Sequence, residues 1–266
     1  MTKLKRSDEE KKQVRGEAPE FVEALDRGLR VIQAFGTEGR PMTLSKVAEA
    51  TGLARATVRR ILMTLQTAGF VAGDERLFAL TPRVLLLASS YLGSNQINTV
   101  MQPLMDEVAF KAREVCSIAI LDGDEVVFIA RSSPARVFST GLEIGYRLTA
   151  FCTSVGRALL SRLSDEELAQ ALERMKLPAM TAQTVTDRAA LIATIGNDRS
   201  NGYSLVDREA EPGFRSISVP IRRYDGVVIA AANIGAHVDR ITTGDMIARF
   251  LPLLKELAST AQPLLV

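Results

Sequence analysis

Arginines set close together on one helical face are where this chain first shows chemistry. In Arg55-Ala56-Thr57-Val58-Arg59-Arg60 the guanidinium groups offer planar forks of donors that match a guanine edge or a phosphate. Val58, Ile61, Leu62 and Leu65 recur at i, i+3, i+4 and i+7, so they face inward. The same phasing turns Ala56, Arg59, Arg60 and Met63 outward, with Arg55 and Thr57 in the first turn. A small residue among arginines on an exposed helix face suits entry into a DNA major groove.

The flanking sequence supplies the elements that would hold such a helix. Thr43 is an N-cap candidate for a short helix with Leu44, Val47 and Ala48 on its apolar side, and Gly52 ends it. Leu53 is an apolar plug at the turn, and the second helix runs from about Ala54 to Ala68 before Gly69. Phe70-Val71, the turn Gly73-Asp74-Glu75-Arg76 and Leu77 to Leu80 then read as a hairpin, the wing of a winged helix-turn-helix. The plainer alternative is a small helical hairpin with a solvated basic face.

Charge is divided unevenly along the 266 residues. Residues 1–92 carry 15 Lys+Arg against 11 Asp+Glu, whereas residues 93–266 carry 18 against 20. The excess sits on residues 40–83, with 7 basic and 3 acidic side chains, so a polyanion partner is expected there and not for the rest. Hydrophobic residues at 47% and charged residues at 24% fit a globular protein of two domains. No apolar run of membrane-spanning length occurs, and the charged first twenty residues do not read as a secretory signal. The expectation is a cytoplasmic protein with no membrane partner. Cys116, Cys152 and His237 cannot make a zinc site of usual spacing, and both thiols are expected to be reduced. Neither a nucleophile elbow nor a phosphate-binding glycine motif is present, so catalysis has no sequence support and no cofactor is expected.

Around the winged helix, residues 1–19 read as a disordered polar tail and Gly36 to Pro41 as a loop. Phe21 to Phe35 reads as an amphipathic helix, with Phe21, Leu25, Leu29, Ile32 and Phe35 as core or dimer contacts. Thr81-Pro82 opens a helix to about Leu92 whose run Val84 to Ala88 is apolar nearly all round, hence buried or shared with another chain. Gly93 to Asn95 breaks it, and Ile97 to Val115 is a long helix with Val100, Leu104, Val108 and Ala112 along one side.

From Cys116 the period changes to two. Ser117 to Leu121 and Val126 to Ala130 flank the turn Asp122-Gly123-Asp124, and Val137 to Leu142 is another strand candidate. Ser154 to Leu163 is a helix, Ser164 and Asp187 cap further helices, Tyr203 to Val206 is a short strand, and Ser216 to Arg222 pairs with Val227 to Ala236 across Asp225-Gly226. Thr243 to Leu257 is the closing helix. This half is α+β, an antiparallel sheet with helices packed against it, a shape able to enclose a small ligand.

Over about residues 21–263 the chain resembles the IclR family of bacterial transcription regulators, most closely its Pca/Pob branch. Four stretches carry the resemblance: Leu25-Asp26-Arg27-Gly28-Leu29; Thr51-Gly52-Leu53-Ala54-Arg55-Ala56 with Arg59-Arg60; Leu80-Thr81-Pro82-Arg83-Val84-Leu85; and Gly213-Phe214-Arg215-Ser216 leading to Val219-Pro220. The resemblance implies an N-terminal winged helix-turn-helix, a linker helix and a C-terminal GAF-like domain that binds an effector, within a homodimer or dimer of dimers. In this chain that divides as a tail at 1–20, a DNA-binding domain at 21–82, a linker at 83–96 and an effector domain at 97–266. It also implies control of aromatic-acid catabolism genes of the β-ketoadipate type, on a double-stranded DNA operator, by a small carboxylate such as an aromatic acid or ring-cleavage product.

Carried over position by position, the effector pocket would comprise Val137, Thr140, Thr153, Ser154, Val155, Val206, Asp207, Phe214, Ser216, Asn233 and Gly235. Thr149 and Phe151 depart from the family's usual proline and histidine or tyrosine. With no Lys or Arg at these positions, the acid is expected at the helix opening near Ser154, held by backbone N–H groups and the hydroxyls of Thr153, Ser154 and Ser216. The candidate DNA-contacting residues are Thr43, Arg55, Ala56, Thr57, Arg59, Arg60 and Arg76. The competing readings are a small-molecule enzyme and a ligand-free DNA-binding protein.

Replacing Arg59 or Arg60 by alanine is expected to weaken specific operator binding by about 1–3 kcal/mol if the contact is bidentate to a base. Gel-shift titration of both single variants and the double variant checks this; wild-type affinity in the double variant would refute it.

Overall fold

The computed structural model describes residues 21–36, 41–74, 76–94, 96–134 and 143–266. The expected tail, most of the Gly36–Pro41 loop and the strand at Val137 to Leu142 lie outside these residues. The chain divides into two compact units, Met1–Tyr91 and Leu92–Val266.

In the first unit, α1 (Glu23–Gly36), α2 (Leu44–Thr51) and α3 (Arg55–Thr67) precede a hairpin of β1 (Val71–Gly73) and β2 (Phe78–Leu80). Thr43 caps α2, its hydroxyl accepting from the Lys46 N–H, and Gly52 ends it at φ 67°, in the left-handed region that favours glycine. Val31, Phe35, Met42, Val47, Val58, Leu62, Val71 and Phe78 form the core, with Leu53 packed against it as the expected plug. Met42 exchanges backbone hydrogen bonds with Phe78, adding a third segment to the hairpin. On α1 only part of the expected apolar set is buried. Phe35 is inside, while Phe21, Leu25 and Leu29 are exposed.

A 3-10 turn, Pro82–Val84, leads into α4 (Leu85–Ser94), with the Thr81 hydroxyl accepting the Arg83 N–H. The helix ends at Ser94, within the stretch where a break is expected, but it runs two residues past Leu92 and takes in Gly93. Its backbone stays in ordinary helical space, and a mid-helix glycine costs only about 1 kcal/mol. The next helix, α5 (Gln96–Ala112), ends earlier than expected, because Arg113 takes a left-handed conformation at φ 56° and Val115 already pairs as a strand. Its buried face is Ile97, Met101, Met105, Val108 and Ala112; Val100 and Leu104 are only partly buried.

The second unit is built on one six-stranded antiparallel sheet. Its strands are β3 (Val115–Asp122), β4 (Glu125–Ser132), β5 (Arg147–Thr149), β6 (Ser204–Asp207), β7 (Phe214–Arg222) and β8 (Val228–His237), in the order β5-β4-β3-β8-β7-β6. Alternation assigns the two faces. Cys116, Ile118, Ile217, Val219, Ala232 and Ile234 pack with α5 and with α10 (Leu251–Ala261), which follows α9 (Thr243–Asp245) and a π-helical turn at Met246–Phe250. The π turn interrupts what the sequence suggests is one closing helix. Ala119, Phe128 and Ala231 pack on the other face with α6 (Ser154–Leu160), α7 (Asp165–Arg174) and α8 (Arg188–Asn201). Ser164 caps α7 in a reciprocal capping box with Glu167, and Asp187 caps α8.

Helix α6 is buried along its whole length, and its approach depends on Gly156. A Cβ there would stand 2.0 Å from the Ala150 carbonyl oxygen. Gly156→Ala is therefore expected to destabilise the second unit by about 3 kcal/mol or more. Gly196→Ala, in α8 with nothing within 4 Å of the new methyl, is expected to stabilise by about 0.5–1 kcal/mol. Chemical denaturation of the two variants side by side measures both.

Candidate nucleic-acid interface and effector cavity

On the first unit, α3 exposes Arg55, Ala56, Arg59 and Arg60 and half-buries Thr57, while Val58 and Leu62 are fully inside. Ile61 and Leu65 are partly covered. The Arg55 guanidinium donates to the Ser45 hydroxyl, so the start of α3 is tied to α2. Gln66 donates through Nε2 to the Gly73 carbonyl at 2.9 Å, tying the other end of α3 to the hairpin. At the hairpin turn Asp74 accepts the backbone N–H groups of Leu77 and Arg76, which hold its carboxyl below the usual range. Arg76 is exposed beside it. Thr43 is occupied as a cap, as described. Sequence reasoning missed Arg30, whose Nη2 donates to the Thr51 carbonyl at 2.6 Å and locks α1 onto the end of α2.

On the second unit a cavity of about 40 Å³ lies between α6, the sheet and the segment before β7. Its walls are Phe128, Leu148, Cys152, Thr153, Val155, Val206, Ala210, Glu211, Phe214, Ser216 and Asn233. The expected residues Thr153, Val155, Val206, Phe214, Ser216 and Asn233 are thus brought together. Val137 and Thr140 lie outside the described residues. Asp207 is not in the site: one residue on from Val206, it turns to the opposite face, where Arg215 Nε donates to it at 3.0 Å. Gly235 lies beneath the Phe214 ring, and a Cβ there would meet Cζ at 2.4 Å.

Ser154 is 1% exposed and sits one layer behind the wall. Its hydroxyl is shared between Ser216 Oγ at 2.7 Å and Ser218 Oγ at 2.6 Å, so it is already engaged. The N-cap of α6 is Thr153, whose Oγ1 accepts the Gly156 N–H at 3.2 Å and donates to Thr149 and Ala150 carbonyls. With these groups committed and α6 only 7 residues long, the helix opening offers an acid less than the sequence suggests. A different group stands ready in the cavity. Asn233 is 6% exposed, and its Oδ1 has no hydrogen-bond partner among the described residues. A buried amide end left this way costs about 1–3 kcal/mol until something bonds to it.

Sequence reasoning also missed Phe128, Leu148, Cys152, Ala210 and Glu211. The alternation of β4 could have pointed to Phe128. Cys152 was visible only as a thiol; burial raises its pKa, the Thr149 hydroxyl lies 2.9 Å from its sulfur, and it lines the wall as a small neutral group. Burial pushes Cys116 up to about 12 on the other face of the sheet. Behind the wall, fully buried Arg157 donates to Glu209 Oε2 at 2.7 Å and to the Phe151 carbonyl at 2.8 Å, and the Val185 N–H also bonds Glu209. His237 closes β8, half exposed, with Nδ1 3.3 Å from Asp239. Among the described residues no cluster suits a metal ion and no helix is long and apolar enough to cross a membrane.

A winged helix with a basic outer face, followed by a sheet domain enclosing a small cavity of mixed polarity, is the build of a ligand-responsive transcription regulator. The comparisons with known proteins agree. Residues 24–75 match the IclR helix-turn-helix domain, and residues 89–262 match the C-terminal domain of bacterial transcriptional regulators of the IclR type. The chain belongs to the IclR family of DNA-binding transcription regulators. It is 41% identical to the Pca regulon regulatory protein of Pseudomonas putida over 89% of this chain and 81% of that one. The crystal structure of a regulator from Rhodococcus sp. RHA1 superposes with a TM-score of 0.81 at 41% identity, covering 91% of this chain and 97% of that one. The inducer-binding domain of the PobR transcription factor from Acinetobacter, a double mutant in complex with 3-hydroxybenzoic acid, matches at TM-score 0.60 and 33% identity over 63% of this chain and 98% of that domain.

Removing the shared hydroxyl tests how the cavity floor is held. Ser154→Ala leaves buried Ser218 and half-buried Ser216 short of a partner and is expected to cost about 1–3 kcal/mol in stability, measured by urea unfolding, with operator binding unchanged at low temperature.

Proposed function

We propose that this regulator senses a small aromatic acid in its C-terminal cavity and uses it to control aromatic-acid catabolism genes. The observation that carries the reading is the Asn233 carboxamide, buried in the cavity beside Ser216 and Phe214 with its oxygen unpartnered among the described residues. A ring hydroxyl can donate to it while Phe128, Val155, Val206 and Phe214 cover the ring. The kinship to the Pca regulator and the hydroxybenzoate bound by the PobR domain support the same class of ligand. At about 40 Å³ the cavity has room for a few waters, so a ring enters only as the walls yield. That differential fit is what lets a ligand bias one arrangement of the chain over another.

In this reading residues 21–82 bind the operator, through Arg59 and Arg60 with Thr43, Arg55, Ala56, Thr57 and Arg76 around them. Residues 83–96 link, and residues 97–266 hold the effector. The protein acts in the cytoplasm by binding rather than catalysis. It works as a homodimer at least, because one helix-turn-helix reads only a short site. Exposed Leu25 and Leu29 on α1, and Leu85, Leu86, Leu87 and Tyr91 on α4, support a second copy as the partner for these apolar faces.

The test is thermal unfolding of the full chain with benzoate, 3-hydroxybenzoate and 4-hydroxybenzoate, each beside its amide, followed by operator gel shifts. A rise in Tm with at least one acid, a smaller rise with its amide and an altered operator affinity are expected. No stabilisation by any acid, or turnover of an acid, would refute the reading.

A further inference from the structure

Helix α3 changes character half-way along. Its first half presents Arg55, Arg59 and Arg60, but from Ile61 to Gly73 the sequence holds no charged residue. Arg60, Met63, Thr64 and Thr67 recur at i, i+3, i+4 and i+7, so the outward face that begins at Ala56 continues to the end of the helix. Thr64 and Thr67 are exposed, and Met63 is half-buried against the core of the unit. With Ala68 these three line a shallow concavity.

The polar groups of this stretch are committed within the unit. Thr64 Oγ1 donates to the Arg60 carbonyl at 3.0 Å, and Thr67 Oγ1 donates to the Met63 carbonyl at 3.0 Å. Gln66 Nε2 donates to the Gly73 carbonyl. A threonine hydroxyl turned back onto its own helix leaves the γ-methyl as the group presented outward. Beyond Arg60 the face therefore offers two methyl groups and a thioether side chain. It has no cation for a phosphate, and its hydroxyl protons are already placed.

The floor of a major groove presents one apolar group, the 5-methyl of thymine. We infer that Thr64 and Thr67, with Met63 beside them, read thymine through that methyl. The inference rests on the reading above that α3 enters the operator, and it gives a task to the half of the helix which that reading leaves without one. Thr64 stands about 6 Å along the helix axis from Arg60. At about 3.4 Å per base step, the thymine lies within about two base pairs of the group that Arg60 holds. A cytosine at the same place would present its N4 amino group to methyls that cannot accept from it. The arginine forks and the methyl patch thus select different bases from successive turns of one helix.

Deleting a methyl group from each side of the contact tests this. The probe is a duplex that the full-length wild-type protein selects from a random pool, with each thymine of the bound site replaced singly by deoxyuridine, which lacks only the 5-methyl. In anisotropy titrations, deoxyuridine at one or more of these thymines is expected to weaken wild-type binding about four-fold, the worth of one buried methyl. Thr64→Ser and Thr67→Ser keep the hydroxyl that bonds the helix and remove only the protein's methyl. At the position it reads, each variant is expected to bind the thymine duplex about four-fold more weakly than wild type and to treat thymine and deoxyuridine alike. Wild-type affinities within about two-fold for every deoxyuridine duplex, a reading that needs no variant, would overturn the assignment. So would an undiminished deoxyuridine penalty in the variant carrying both Thr64→Ser and Thr67→Ser. Either result leaves operator binding through Arg59 and Arg60 standing, whereas a wild type that selects no duplex would overturn both.

Discussion

The ligand face of the second unit depends on how closely α6 approaches the sheet. Two features permit that approach. Gly156 lets the helix backbone lie against Ala150, and the Ser154 hydroxyl bridges Ser216 and Ser218 on β7. Every residue of α6 is buried, so the helix cannot tilt or slide without opening voids along its length. The cavity is what remains beside this contact, bounded by the side chains that begin the helix, by Phe128 and Leu148 on β4 and β5, and by Val206, Ser216 and Asn233 across β6, β7 and β8.

The outer wall is fixed by a different interaction. Arg157, from the middle of α6, reaches Glu209, and Glu209 also takes the Val185 N–H. One buried ion pair thus joins the helix, the segment before α8 and the stretch that carries Ala210 and Glu211. Breaking such a pair from one side costs about 3–5 kcal/mol, because the remaining charge has no water to turn to. Thr181 and Thr184 add hydroxyl bonds to the carbonyls of Arg208 and Glu209. Sub-ångström changes at the cavity are therefore felt along a well-anchored segment rather than absorbed by a loose one.

The winged helix was legible in the sequence because its signals are local. A threonine cap, a glycine in left-handed space, an apolar plug and a helical phase each act within a few residues, and the structure shows the cap at Thr43 and the turn at Gly52 where those signals put them. The cavity was legible only in part, since its walls come from strands far apart in the chain. Alternation can say that Val206 and Asp207 face opposite ways, but only pairing with β7 shows which of them faces α6. Where local reading missed an element's end, two residues late for α4 and three residues early for α5, a glycine tolerated inside a helix and a non-glycine residue in left-handed space were responsible.

Phe214 and Gly235 form a pair in which one ring occupies the place of a missing side chain. The ring rests where a β-carbon on the neighbouring strand would be, so the depth of the chamber is set by an atom that is not there. A chain that acquired alanine at this position would have to lift the ring toward the chamber, without any change in the backbone pairing that holds β7 to β8. A single small residue beneath an aromatic ring thus limits how large a ligand the chamber takes, at a position remote in the chain from the DNA-reading helix.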